Sequence, residues 1–200
     1  RALAEAGLRK TDIGGVLACS AVASPFHRFS VALSGYLGIQ PTFSNTLQVS
    51  GATAATLFHA AAAAIVAGQA ETVLVVGADS LLTGLTPDGA MRSMTESREQ
   101  QYAMTIGIPV ANTFAMTAQR HMIEFGTTAE QFAQVAVVHR EHARGTAGAQ
   151  MTTPITVDDV LASGWVTTPY HKLDCSLISD GGAAFIVTST DRARALGIQR

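Results

Sequence analysis

The sequence predicts an α/β fold with one mixed sheet, and three observations carry the prediction. Short apolar runs that suit buried strands alternate with stretches of helical spacing. One helical stretch, residues 51–68, is alanine-rich and has no charged side chain. After the next apolar run, a roughly hundred-residue segment of different character interrupts the alternation, and a last apolar run then resumes it, within a size normal for one domain plus an elaboration.

The chain opens on an amphipathic helical pattern, RALAEAGLRK. Residues 14–23, GGVLACSAVA, are apolar, short and flanked by glycine, as a buried strand would be. Residues 29–38, FSVALSGYLG, have helical spacing and a glycine stop. Residues 41–49, PTFSNTLQV, are β-rich, and the alanine-rich helix follows, with Gly68 placed just after its C-cap. TVLVVGA, residues 72–78, is an uninterrupted apolar run, expected of a parallel strand buried on both faces. From Leu81 the sequence carries Gly, Pro and Met without a clear period and leaves the sheet. Two helices with polar faces are expected over 110–125 and 128–144, with Thr127 and Glu130 as a capping-box pair for the second. PITVDDVLAS adds a short helix with acidic residues in its first turn, where the helix dipole favours them. SDGGAAFIVTS is expected to turn on residues 180–182 and return as a buried strand, and DRARALGIQR begins a further helix.

The long helix carries the strongest physical inference. A helix on the outside of a sheet needs a polar face. Between Ser50 and Gln69 the only polar side chains are Thr53, Thr56 and His59. The helix is therefore expected to be buried on all sides, between two sheets, its alanines permitting close approach. The chain has strands for one sheet, so a second half of the protein or another subunit must cover it. Within this chain alone, one apolar face of the helix should be exposed.

Composition narrows the function classes. The formal net charge is −2, and the 13 Lys and Arg form no basic run, which speaks against a nucleic-acid partner. Charged residues are 14% and hydrophobic residues 48% of the chain, so much of it must be buried, internally or against a partner. Cys19 and Cys175 are far apart and lack metal-ligand spacing, which suits a reducing, cytoplasmic setting. Residues 51–70 are the one candidate for a membrane span; they are mostly alanine, carry His59 and lead straight into a strand, so no span is expected. The chain starts on Arg1 within a helical pattern and closes on a freshly begun helix, so both ends are expected to continue in a longer protein.

Four stretches, in order and nearly in spacing, resemble the thiolase superfamily: RALAEAGLRKTDIGGVL; SGATAATLFHAAAAAIVAGQAETVLVVGADS; FAMTAQRHMIEFGTTAEQFAQVAVVHREHA with PITVDDVLAS; and LDCSLISDGGAAFIVTSTDRARALG. Together they are similar to the N-terminal half of the lipid-transfer (sterol-carrier-protein) type of acetyl-CoA acetyltransferase. The resemblance implies a layered αβαβα fold of two similar halves, with the alanine-rich helix at its centre. Residues 1–80 would be the first part of the N-terminal half, and 81–180 the largely helical loop-domain insertion that helps cover coenzyme A. Residues 181–200 would be the last strand and the start of the link to a C-terminal half that lies outside this sequence. In the family that other half carries a histidine, a second cysteine and an oxyanion motif.

The resemblance also implies site residues. The family places a nucleophilic cysteine at the strand-to-helix turn, where the helix N-terminus lowers its pKa and holds the thioester oxygen. Ser50 stands at that position. Its residue type equally suits a helix N-cap, which requires no chemistry. Small Gly51 beside it would leave room for substrate, and Ser176 matches a family position near the pantetheine arm, although a serine before a strand also suits a plain turn. His59 lies about two and a half turns along the helix from Ser50, on the opposite side, and reads as a satisfied core histidine. His139 and His142 share a helix face, but no third or fourth ligand has suitable spacing, so a solvated face is expected and no metal. Cys175 reads as a small buried hydrophobe. Residues 104–112, MTIGIPVAN, only partly resemble the family's substrate-lining segment.

The activity implied is that of an acyl-CoA acyltransferase, with Ser50 in place of the usual cysteine. Two alternatives stand beside it: a thiolase-fold retro-aldol carbon–carbon lyase on sterol or acyl-CoA adducts, which needs no cysteine and pairs with a small OB-fold subunit, and a non-catalytic CoA or lipid binder. In each, a coenzyme A thioester or lipid is the ligand, no permanently bound cofactor is expected, and a homodimer or higher homo-oligomer is the implied assembly.

Overall fold

The computed structural model describes residues 1–96, 101 and 109–198. Its elements in chain order are α1 (Ala2–Glu5), β1 (Gly15–Cys19), α2 (Phe29–Leu37), β2 (Phe43–Leu47), α3 (Thr53–Val66), β3 (Thr72–Ser80), α4 (Leu81–Gly84) and α5 (Pro87–Glu96). There follow α6 (Val110–Phe125), α7 (Ala129–Arg144), α8 (Val157–Leu161), β4 (Trp165–Thr167), β5 (Tyr170–His171), β6 (Asp180–Thr188) and α9 (Thr190–Ala195). The chain divides into two units, Arg1–Pro87 with the segment from Ser179, and Asp88–Ile178.

The first unit is built on a mixed sheet of order β2-β1-β3-β6. β1 runs parallel to both β2 and β3, while β6 is antiparallel to β3. Alternate side chains of the central strands point to opposite faces. Leu17, Val73 and Val75 pack with Leu57 and Ala61 of α3. Val16 and Leu74 pack on the other face with Ile13 and Ile39, and with Leu33 and Leu37 of α2. A fully buried aliphatic side chain of this kind contributes about 1.5–3 kcal/mol, so the two helices are held to the sheet chiefly by these rows.

Both helices stop where glycine allows a left-handed residue. Gly38 has φ 66° and lets Ile39 N–H reach Ser34 O at 2.9 Å as the Ile39 side chain turns into the core. Gly68 has φ 70° and lets Gln69 N–H reach Ala64 O. The long helix presents Leu57, Ala61 and Ala64 to the sheet, whereas Phe58 and Val66 on its other side are 55% and 89% exposed. The apolar face expected to lie open within this chain is therefore present. His59 lies on that side too and is exposed within this chain, in which α3 is covered on one face.

One turn expected from the sequence does not occur. Residues 180–182 are the first residues of β6, paired Ser80↔Asp180, Asp79↔Gly181 and Ala78↔Gly182. β3 runs on to Ser80, so the partner strand must start at Asp180 to match it. Gly182 is needed there for space, since a Cβ on it would stand 2.9 Å from Ala78 Cβ. The strand is also more exposed than expected, being the outer strand of the sheet.

In the second unit, α7 begins one residue later than its expected capping pair. Thr128 is the N-cap, accepting from Gln131 N–H while the Gln131 side chain accepts from Thr128 N–H at 3.0 Å. Thr127 instead bonds His121 Nδ1 at 2.9 Å. Thr156 and Asp159 make the same reciprocal cap for α8. His121, Phe125, Phe132 and Tyr170 form a chain of ring contacts that ties α6 and α7 to the short β4–β5 hairpin. Among the described residues no helix is long and apolar enough to cross a membrane.

Candidate functional site

β2, β1 and β3 all point the same way, so their carboxyl ends share one edge of the sheet, where open α/β sheets place ligands. Ser50 lies at that edge, three residues beyond the end of β2. It is the only non-glycine with positive φ among the described residues, at 54°. A residue with a Cβ in the left-handed region stores about 1–3 kcal/mol of strain. A short 3-10 turn over Ser50–Ala52 then leads into α3.

Ser50 does not cap the helix. Ala52 occupies the N-cap position of α3 without a side-chain cap bond. Thr53 Oγ1 ties the turn instead, accepting from Val49 N–H at 3.0 Å and donating to Ser50 O at 2.6 Å. The left-handed backbone of Ser50 takes its hydroxyl away from the capping geometry, and that hydroxyl makes no hydrogen bond among the described residues. Ser50 and Gly51 are both exposed. The sequence signal for the Thr53 role is a hydroxyl three residues after Ser50, at the first position of α3.

Ser176 lies in the second unit, exposed, just after a 3-10 turn over Lys172–Asp174. That turn is well anchored. His171 N–H donates to Asp174 Oδ2 at 2.7 Å, the His171 ring nitrogen Nδ1 lies 3.2 Å from the same oxygen, and both side chains are about 95% buried, 5% and 6% exposed. The Trp165 ring lies against the His171 ring with centroids 3.9 Å apart. Asp174 Oδ1 is buried with no hydrogen-bond partner among the described residues. An open groove of ≈ 600 Å³ runs between α7 and this turn, lined by Phe132, His139, Tyr170 and Ser176 among others. Burial, helped by the Asp174 charge, pushes both the Tyr170 hydroxyl and the Cys175 thiol up from their ordinary values. Cys175 is half-buried and correspondingly weak as a nucleophile.

No family model matches the chain. Individual relatives do. A steroid side-chain-cleaving aldolase of Thermomonospora curvata is 36% identical over 203 residues, covering 98% of this chain and 51% of that protein. An acetyl-CoA acetyltransferase of Methanothermobacter thermautotrophicus is 30% identical over 196 residues, covering 96% of this chain and 50% of that protein. Among solved structures, the Ltp2-ChsH2(DUF35) aldolase superposes with a TM-score of 0.79 at 33% identity, covering 96% of this chain and 49% of the matched one. A monomeric SCP2-thiolase like protein from Mycobacterium smegmatis has the same fold, with a TM-score of 0.68 at 16% identity, covering 95% of this chain and 39% of the matched one.

The chain belongs to the thiolase superfamily. It is an N-terminal-half domain of the sterol-carrier-protein type, and it spans about half the length of the curated relatives it matches. In this thiolase-type half, Ser50 and Gly51 lie in the first unit and Ser176 in the second. Among the described residues no group of three or more His, Cys, Asp or Glu is placed to hold a metal ion. His139 and His142 are both exposed on α7. Of the segment 104–112, residues 104–108 lie outside the described residues.

Proposed function

We propose that the protein acts on an acyl-CoA thioester in carbon–carbon bond chemistry, with the Ser50 turn at the reacting carbonyl. The observation that carries this reading is Ser50 between the end of β2 and the start of α3, with a strained backbone and an exposed hydroxyl that has no hydrogen-bond partner among the described residues. Strain of this kind in an otherwise regular unit is found where a side chain must be presented. The helix N-terminus beside it offers partial positive charge to a thioester oxygen. Gly51 leaves space for the acyl group, and the family resemblance suggests Ser176 as a contact of the pantetheine arm. The CoA thioester is substrate, with no permanently bound cofactor.

Two reactions suit such a site. In acyl transfer, Ser50 would take the acyl group in place of the family's cysteine. In retro-aldol cleavage, the bond between the α- and β-carbons of a β-hydroxyacyl-CoA breaks, the hydroxyl proton leaves as the β-carbon becomes a carbonyl, and the α-carbon of the thioester, left with the electron pair as an enolate, takes up a proton. Ser50 favours the second. Its hydroxyl stays protonated at neutral pH unless a base removes the proton, and an acyl-serine ester would change the energetics of transfer to CoA. The relative named as an aldolase and the aldolase structure support the same direction.

Assembly belongs to this proposal. β2 is an edge strand, and the outer side of α2 exposes Val31 and Tyr36, so a homodimer or larger homo-oligomer would cover them. The uncovered face of α3 suits the second half of the full protein. A small OB-fold subunit is a further partner, supported by the DUF35 component in the name of the aldolase structure. A cytoplasmic setting rests on the two unpaired cysteines.

The test is turnover by the full-length protein. Release of a ketone or aldehyde from a β-hydroxyacyl-CoA without free CoA is the expected result. Thiolysis that requires free CoA would favour acyl transfer. Tight CoA binding with neither reaction would leave a non-catalytic binder.

A further inference from the structure

The left-handed backbone of Ser50 stores strain, so it persists only where its surroundings hold it. Thr53 supplies the hold with both its side chain and its main chain. Its Oγ1 accepts from Val49 N–H at 3.0 Å, on one side of Ser50, and donates to Ser50 O at 2.6 Å, on the other. The Thr53 N–H donates to the same Ser50 oxygen. Main-chain groups on either side of the Ser50 Cα are thereby tied to one residue. Gln48 Oε1 lies 3.4 Å from the Thr53 hydroxyl, but that hydroxyl has one proton, and Ser50 O is the closer acceptor.

Thr53 can anchor the turn because it is itself anchored by the core. It heads the row Thr53, Leu57, Ala61 and Ala64 that α3 buries. Leu57 and Ala61 pack with Leu17, Val73 and Val75 of the sheet, so the contact that places α3 also places Thr53. Its branched Cβ leaves the side chain few rotamers, and burial fixes the direction of the hydroxyl. Thr56 on the same helix differs. Its Oγ1 donates to Ala52 O at 3.0 Å, a bond that holds neither Val49 nor Ser50.

We propose that Thr53 is the positioning residue of the candidate site: its hydroxyl clamps the backbone at residue 50, so that the side chain there is held toward the reacting carbonyl of a CoA thioester instead of turning to cap α3. This role rests on the reading of the Ser50 turn as an acyl-CoA site. Thr53 touches no substrate and acts through residue 50. Its loss frees the turn to leave the left-handed conformation, and the side chain at position 50 stays exposed but is no longer aligned.

The test uses the full-length protein carrying Ser50→Cys and follows two reactions of the thiol at position 50. With acetyl-CoA, the sulfur bonds to the acetyl carbon, the bond from that carbon to the CoA sulfur breaks, and CoA leaves as the free thiol with the proton. With iodoacetamide, a small reagent, an exposed thiol is alkylated and iodide leaves. Adding Thr53→Val, which has the shape of threonine without its hydroxyl, should slow acetylation at least about tenfold and change alkylation by less than about threefold, because only the transfer demands a fixed geometry. Thr53→Ser, which keeps the hydroxyl, should restore acetylation, and Thr56→Val should leave it unchanged. Unchanged acetylation with Thr53→Val, equal slowing of both reactions, or a loss that Thr53→Ser does not rescue would overturn the proposal. Thr53→Ala takes the place of Thr53→Val if the latter does not fold, and unprotected hydrogen exchange at the Val49 amide of the unsubstituted protein would overturn the clamp without any variant. A thiol that is alkylated but not acetylated with Ser50→Cys alone would refute the acyl-CoA reading, and this role with it.

Discussion

Ser50 and Ser176 are both exposed serines at turns, yet their turns are built in opposite ways. The turn before Ser176 is anchored by a buried His171–Asp174 pair, a ring stacked on the histidine and a reciprocal cap. Its backbone is ordinary. The Ser50 turn has a left-handed serine, no side-chain cap from that serine, and a hydroxyl free of protein partners among the described residues. One turn is stabilised by its own side chains, and the other holds strain that its neighbours must sustain. That difference makes the two turns respond differently to substitution.

The largest expected effect breaks the anchored turn. His171→Ala removes a buried ring, its stacking on Trp165 and its bond to Asp174, and should cost about 3 kcal/mol. Thermal unfolding should show the loss in full, with a new cavity beside the ≈ 600 Å³ groove. Equal stability in this variant would mean that the second turn is not held as described.

A smaller effect has the opposite sign. Ser50→Gly relieves the left-handed strain and should stabilise the protein by about 1 kcal/mol, since glycine adopts positive φ without penalty. Ser176→Gly has no such strain to release and should be neutral or slightly destabilising. A denaturant titration of both variants compares them directly, and equal shifts would erase the contrast.

The smallest effect is acid-dependent. Hydrogen bonds from the Thr83 hydroxyl and from the Thr83 and Leu82 N–H groups hold the exposed Asp180 carboxyl below its usual value. A carboxyl lowered in the folded state adds stability above its unfolded pKa and loses it as pH falls through the folded value. The stability that Asp180 gives to α4 should therefore be intact near neutrality and fade below about pH 4. Asp180→Asn should flatten that part of the stability–pH curve, and an unchanged curve would remove Asp180 from the account.

Much of the fold was legible in the sequence, because its signals are local. Gly38 and Gly68 mark helix ends through a conformation that favours glycine. The uncharged helix implied an apolar face left open within this chain, and Phe58 and Val66 stand exposed on it. The misses share a different cause. Residues 180–182 have the composition of a turn, but the length of β3 decides that they pair. Thr127 and Thr128 offer the same hydroxyl, and only the phase of α7 selects the second. At Ser50 the residue type suggested a cap, whereas a backbone angle that serine rarely adopts, together with Thr53, determined the outcome. Position along the chain located the candidate site, but its geometry comes from the packing of β2 and α3.

The most direct test of the central claim, that the Ser50 turn is an acyl-CoA site working without covalent acylation, is the intact mass of the full-length protein after incubation with acetyl-CoA. The unsubstituted protein should keep its mass. Ser50→Cys, which places a thiol of lowered pKa at the same helix N-terminus, should gain one acetyl group on the peptide that contains residue 50. Acetylation of Ser50 itself, or a Ser50→Cys variant that remains unlabelled, would contradict the account.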